Sequence, residues 1–117
     1  MTPAVPPVSA ENAWFSQAFI DVGAARRRQI EVNGYDYTHD DEHDRGELAM
    51  AGAVYAWFAT WSDQKRASGL NPVTASFEVR WPFLGGWNPK DRRSDLVRAG
   101  ALIVAEIERL DRVAVRA

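Results

Sequence analysis

Apolar positions recur at helical spacing in three segments of this chain. In the first segment the repeating residues are Trp14, Ala18, Val22 and Ala25. Ser9 is a suitable N-cap before them, and Asn33 with Gly34 supplies the residues that end helices most readily. The pattern predicts a first helix from about Ala10 to about Val32.

A second helix is predicted over residues 42–61, after a connector at residues 35–39 and with Asp40 and Asp41 as carboxylate N-caps. One face of this helix carries His43, Glu47, Met50, Val54, Trp57 and Trp61. A second face carries the small residues Gly46, Ala49, Ala53 and Ala56. Small residues let another helix approach closely, so we expect this helix at the centre of the domain.

The periodicity fails over residues 62–87, where only residues 77–81 resemble a short strand. Asn88 and Pro89 then predict the start of a third helix, since proline is favoured at the first helical position. Its apolar stripe consists of Leu96, Ala99, Ile103, Ile107 and Leu110. Gly100 beside that stripe predicts a close crossing with the second helix.

These elements predict a mainly all-α fold with a three-helix core. A long loop rich in Trp, Pro and Gly separates the second and third helices. Residues 1–8, which are rich in proline, are expected to form a flexible N-terminal arm, and residues 9–117 a single helical domain.

Composition narrows the classes of function. The net charge of -2 gives no overall positive field, so nonspecific nucleic-acid binding is not expected. With no cysteine, disulfides and thiolate chemistry are excluded. The longest nearly apolar run, residues 48–61, is too short to span a membrane, and the N-terminus lacks signal-peptide features. We therefore expect a cytoplasmic protein without membrane partners.

The acidic segment from Asp36 to Glu47 contains both histidines of the chain and is the first candidate site. Asp44 and Glu47 are one helical turn apart, a spacing at which two carboxylates can share Mg²⁺. Glu47 and His43 are also candidate catalytic groups, because both share a face with apolar residues. The other acids, Asp40 to Glu42, are expected to cap the helix.

Zinc bound by His39, His43 and Glu47 is a weaker alternative at the same segment. If His39 precedes the helix, the spacing of these ligands is lost. The familiar HExxH arrangement is also absent.

The second candidate site is the basic and aromatic segment of residues 80–93. Its cations lie at a predicted helix start, where free backbone N–H groups favour phosphate, and Trp87 could stack on a base. The candidate ligand-binding residues are Arg28, Trp87, Lys90, Arg92, Arg93 and Arg98. Trp81 and Phe83 are expected to fill the core instead, and Arg26 and Arg27 to balance the dipole of the first helix. The charges from Glu106 to Arg112 are expected to lie on the surface.

The motifs HDDEHDRGELA (residues 39–49) and DLVRAGALIVAEIERLDR (residues 95–112) resemble those of a family of small helical proteins from tailed phages and prophages. The resemblance covers residues 26–112. It implies a phage-encoded protein that works in the cytoplasm of a bacterial host, and it implies no particular activity.

A fainter resemblance connects the segment Asp44 to Leu48 with MazG-type nucleotide pyrophosphohydrolases. Their first metal motif is Glu-x-x-Glu, here with Asp44 in place of the first glutamate and Glu47 as the second. Their second motif, Glu-x-x-Asp, would place Asp95 at its aspartate, but Arg92 stands where an acid is required. The resemblance implies a magnesium site at Asp44, Glu47 and Asp95 that lacks one ligand.

Three hypotheses of function follow. The first is a phage-type accessory protein that binds a nucleotide or a nucleotide-derived small molecule and so sequesters a host signal. The second is a magnesium-dependent nucleotide pyrophosphohydrolase with His43 as general base. The third is an inhibitor that binds a host protein through its aromatic loop. A homodimer formed through small-residue helix faces could complete the pocket.

Overall fold

A computed structural model describes residues 15–72 and 80–116 of the chain. The helices are α1 (Gln17–Glu31), α2 (Tyr37–Asp41), α3 (Glu47–Phe58), α4 (Asp63–Arg66) and α5 (Arg92–Arg116). No β-strand occurs within these two described ranges, which confirms the all-α fold class. The predicted N-terminal arm and most of the predicted strand at residues 77–81 lie outside them. No helix in the described part is both long and apolar enough to cross a membrane.

α1 begins later than predicted and ends where predicted. The hydroxyl of Ser16 accepts a hydrogen bond from the backbone N–H of Phe19 at 3.2 Å, which caps the helix at Gln17. The predicted cap at Ser9 lies outside the described residues. At the other end Val32 is the C-cap, and Gly34 follows with a φ of 74°.

The predicted second helix is interrupted, so the prediction of one helix over residues 42–61 is wrong. The carboxylate of Asp36 accepts from the backbone N–H of His39 and starts α2 within the predicted connector. The chain then leaves the helical conformation, and Gly46 has a φ of 82°, a left-handed value that a helix cannot contain. α3 therefore starts at Glu47, and it ends at Phe58 rather than Trp61.

α3 packs against α5 through a different face from the one predicted. The core cluster consists of Leu48, Ala51, Tyr55, Ala99, Leu102 and Ala105. Met50, on the predicted apolar face, is 39% exposed. The close approach of the two helices is at Gly52, where an added Cβ would lie 3.1 Å from the carbonyl oxygen of Ala99. The small residues Ala49 and Ala53 are exposed instead.

α5 also differs from its prediction in three respects. It begins at Arg92 rather than Asn88, and the carboxylate of Asp91 accepts from the backbone N–H of Ser94 at 3.2 Å. Gly100 contacts Val22 of α1, not α3 as predicted. Of the predicted apolar stripe Ala99 is buried, whereas Leu96, Ile103, Ile107 and Leu110 are 44–52% exposed.

α4 lies within the predicted loop and positions the chain before α5. Arg66 of α4 donates hydrogen bonds to the carbonyl oxygens of Phe58 and Lys90 at 2.8 and 2.9 Å. It also donates to the buried carboxylate of Asp95 at 2.8 Å. One guanidinium therefore joins the end of α3, the segment before α5 and α5 itself.

Candidate functional site

A cleft of about 720 Å³ lies between α1, the start of α5 and the segment of residues 81–90. α1 contributes Asp21 and Arg28 to its lining, and α5 contributes Arg93 and Arg98. Ring-bearing side chains from four parts of the chain complete it: Tyr35, His39, Tyr55, Trp81 and Phe83. A volume of this size is in the usual range for sites that bind small molecules.

Positive charge dominates the cleft. The lining includes the cations Arg28, Lys90, Arg93 and Arg98. Among the described residues that line the cleft, Asp21 is the only carboxylate. A concave surface with such an excess of cations favours an anionic ligand.

Two of these cations are held by neighbouring groups. Arg98 donates to the hydroxyl of Tyr55 at 3.1 Å and to the carbonyl oxygen of Asn88, and its guanidinium lies 5.1 Å from the centre of the Tyr55 ring. Arg93 donates to Asp21 at 2.8 Å. Hydrogen bonds from Gln17 and Arg93 lower the pKa of Asp21, so this carboxyl stays ionised and keeps Arg93 in place.

The other two cations have no such partner. Neither the guanidinium of Arg28 nor the ammonium of Lys90 forms an ion pair or hydrogen bond with another described residue. Both side chains therefore present free donors to whatever occupies the cleft.

One wall of the cleft is aromatic. The rings of Tyr35 and His39 are stacked with their centres 4.4 Å apart and their planes 7° from parallel. His39 Nδ1 lies 2.9 Å from an oxygen of Asp40, and the other carboxylate oxygen of Asp40 accepts from Arg26 at 2.8 Å. This chain of contacts fixes the orientation of the His39 ring.

A further part of the lining is formed by rings that also belong to the core. Trp81 packs edge-on against Tyr55 at 5.4 Å and donates from its indole nitrogen to the carbonyl oxygen of Gly85 at 2.8 Å. Phe83 packs against Trp81 at 5.7 Å. Both rings are partly buried against the core cluster, in agreement with their predicted role.

The structure brings four of the predicted ligand-binding residues into this cleft: Arg28, Lys90, Arg93 and Arg98. The remaining two do not line it. Trp87 packs against Tyr55 at 4.7 Å and against Phe58 at 5.7 Å. Arg92 donates to the carbonyl oxygen of Ala59 at 3.0 Å.

The predicted catalytic pair, His43 and Glu47, lies together at the start of α3. His43 Nδ1 is 3.3 Å from an oxygen of Glu47, and the other oxygen of Glu47 accepts from the backbone N–H of Arg45 at 2.6 Å. Burial alone raises the pKa of Glu47, but the backbone N–H groups of Arg45 and Glu47 together with His43 outweigh it and lower the pKa. Neither His43 nor Glu47 is among the residues that line the cleft.

The residues proposed as metal ligands do not fit a magnesium ion. Asp44 is exposed and precedes α3, so it is not one helical turn from Glu47. Asp95 is fully buried, and its oxygens accept from Arg66 at 2.8 Å and from the backbone N–H of Lys90 at 2.7 Å. Within residues 15–72 and 80–116, no group of three or more acidic or histidine side chains is arranged to hold a metal ion.

Sequence reasoning missed the buried network that supports the aromatic wall. Arg26 was expected to be a solvated group at the helix end, yet it is 4% exposed and pairs with both Asp40 and Glu108. Asp40 was expected to be only a cap. The position of Arg26 on α1 could have predicted its burial. Arg26 follows Val22 by one helical turn, so both residues lie on the face of α1 that is turned towards the rest of the protein.

The charges near the end of α5 were also expected on the surface. Glu106 and Arg109 are both 8% exposed and form an ion pair at 2.5 Å. Glu108 pairs with Arg26 at 2.6 Å, and Arg112 pairs with Asp41 at 2.8 Å.

Comparisons with known proteins give no guide to the cleft. The chain matches no known protein family, no curated protein and no solved structure. The function is therefore argued from the geometry and charge of the cleft.

Proposed function

We propose that the cleft binds a nucleotide or a nucleotide-derived small molecule. Such a ligand combines the two features for which the cleft is suited, namely a phosphate and a flat ring. The cations supply donors for phosphate oxygens, and the stacked pair of Tyr35 and His39 supplies an aromatic wall beside them.

The observation that carries this proposal is that Arg28 and Lys90 have no ion-pair partner among the described residues. Both line the same cleft, and neither is neutralised by a carboxylate of the described residues. By contrast, the largely buried cations Arg26 and Arg66 are each paired with a buried carboxylate. Two unpaired cations in one concave site favour an anionic ligand as their partner.

The proposed activity is binding without turnover. No group of three or more acidic or histidine side chains among the described residues is arranged to hold a metal ion, and the predicted general base His43 does not line the cleft. A protein that holds such a ligand without converting it acts by sequestration. Binding is therefore expected to be independent of magnesium.

The direct test is a thermal-shift series followed by calorimetric titration of the purified full chain. The ligands are AMP, ATP and cyclic dinucleotides, each with Mg²⁺ and with EDTA. A ligand at about 100 times its Kd adds about 2.7 kcal/mol to the free energy of unfolding, so binding raises the Tm. No rise with any of these ligands contradicts the proposal, and release of phosphate or pyrophosphate contradicts sequestration.

Substitution of neighbouring arginines tests the location of the site. Arg28→Ala removes an unpaired cation from the cleft, and we expect it to raise the Kd of the nucleotide about 10- to 100-fold. This is the effect of losing one hydrogen bond to a charged group, which is worth about 1.5–3 kcal/mol. Arg27→Ala is the matched control, because Arg27 is exposed, pairs with Glu31 and does not line the cleft. Equal effects of the two substitutions would show that only general positive charge matters.

A further inference from the structure

α5 carries an apolar stripe on the side that its neighbours leave open. α1 contacts α5 at Gly100 through Val22, and α3 contacts it at Ile103 through Gly52. The large side chains of the stripe are about half exposed: Leu96 50%, Ile103 44%, Ile107 51% and Leu110 52%. None of them lines the cleft. A contiguous exposed apolar stripe on a small domain is typical of an interaction surface.

The spacing of the stripe is that of a helix-pairing seam. Leu96, Ile103, Ile107 and Leu110 follow one another in steps of seven, four and three residues, as the core positions of paired helices do. At about 1.5 Å per residue the seam is about 20 Å long. The occupant that fits it is therefore another helix of similar length.

The stripe can pair with a second copy of itself. If two copies of α5 pair antiparallel about a two-fold axis, Leu96 can lie opposite Ile107 of the second copy. This apolar match occurs twice, because the axis repeats it.

The stripe is also complementary to itself in charge. In this register Arg92 lies opposite Asp111 of the second copy. Asp111 is exposed, and no other described residue pairs with it. The side chain of Arg92 is 54% exposed and can accept a further partner. Opposite charges thus meet at both ends of the seam.

We infer that this chain forms an antiparallel homodimer through the α5 stripe, with reciprocal pairs between Arg92 and Asp111. This inference does not rest on the proposed function, since the stripe and the cleft share no residue.

The first test is the mass of the full chain in solution by sedimentation equilibrium at about 1–100 μM. We expect twice the chain mass of 13.1 kDa. Ile107→Glu places a charge in the seam and should give single chains with an unchanged helical circular dichroism spectrum. The matched control is Val115→Glu, the same kind of change on α5 at an exposed position outside the seam, which should remain a dimer.

The second test is charge reversal, which fixes the register. Asp111→Arg and Arg92→Asp should each raise the dimer Kd about 10-fold, and the two together should return it to within about 3-fold of the original value. This interface is overturned if Ile107→Glu leaves the dimer intact. It is also overturned if the double variant Asp111→Arg/Arg92→Asp dimerises no better than the single variants. A single-chain mass throughout overturns the inference, and dimerisation only after deletion of residues 1–14 would identify that segment as the occupant instead.

Discussion

Asp21 is the residue that most directly limits the charge of the cleft. It is the only carboxylate among the described lining residues, and it holds Arg93 at 2.8 Å. Hydrogen bonds from Gln17 and Arg93 lower the pKa of Asp21 in the folded protein. The ion pair with Arg93 is therefore fully formed above the pKa of an unfolded aspartate. It is lost as the pH falls through the lower pKa of folded Asp21. At neutral pH, Asp21 therefore opposes an incoming anion.

Removal of this charge should tighten binding. We expect Asp21→Asn to lower the Kd for a nucleotide about 2- to 5-fold, because a charge of the same sign as the ligand leaves the site and Arg93 becomes free. Calorimetric titration at neutral pH measures the change. Glu31→Gln removes a carboxylate of α1 that does not line the cleft and should have little effect; an equal gain from Glu31→Gln would contradict the role of Asp21.

At the scale of the helices, Gly52 and Gly23 differ in the space available for a side chain. A Cβ at Gly52 would meet the carbonyl oxygen of Ala99 at 3.1 Å and Ile103 at 3.2 Å, so this glycine allows α3 to approach α5. Gly23 of α1 has nothing within 4 Å of an added Cβ. In a helix without steric conflict, alanine is the better residue.

The two glycines therefore predict changes of opposite sign. Gly52→Ala should lower the free energy of unfolding by about 1–3 kcal/mol through overpacking. Gly23→Ala should raise it by about 0.5–1 kcal/mol through helix propensity. Urea unfolding followed by circular dichroism measures both, and a stabilising Gly52→Ala would refute the close contact between α3 and α5.

At the scale of the whole molecule, a single arginine connects three helices. Arg26 of α1 binds Asp40 of α2 and Glu108 of α5, and it also donates to the carbonyl oxygen of Tyr35 at 3.2 Å. Asp40 is fully buried and also orients His39. The aromatic wall of the cleft therefore depends on this network.

Loss of Arg26 should destabilise the entire fold. Arg26→Leu leaves Asp40 as a buried carboxylate without its arginine, and we expect a loss of about 3–5 kcal/mol in urea unfolding. The double variant Arg26→Leu/Asp40→Leu removes the unpaired charge and should recover a large part of that loss. Arg27→Leu, at an exposed pair, should leave the free energy of unfolding almost unchanged. A double variant less stable than Arg26→Leu would contradict this account.

The sequence predicted the helical class, the end of α1 and four cations of the cleft, because each depends on local signals. Helix periodicity and the stop at Asn33 and Gly34 involve residues that are neighbours in the chain. It did not predict the break at Gly46, since a glycine of positive φ and a glycine inside a helix look alike in a sequence. That error placed His43 inside a helix that starts only at Glu47.

The sequence by itself thus determined the helical class, the three main helical segments and the clustering of basic and aromatic residues around the start of α5, but not α2 or α4. Only the tertiary structure decided which helix faces are buried and which charges are paired. Arg26 finds its partners 14 and 82 residues away, at Asp40 and Glu108. Pairs between residues so far apart in the chain produce no periodic pattern in the sequence, because the residues come together only when the helices pack. The same packing leaves Arg28 unpaired in the cleft and the α5 stripe uncovered.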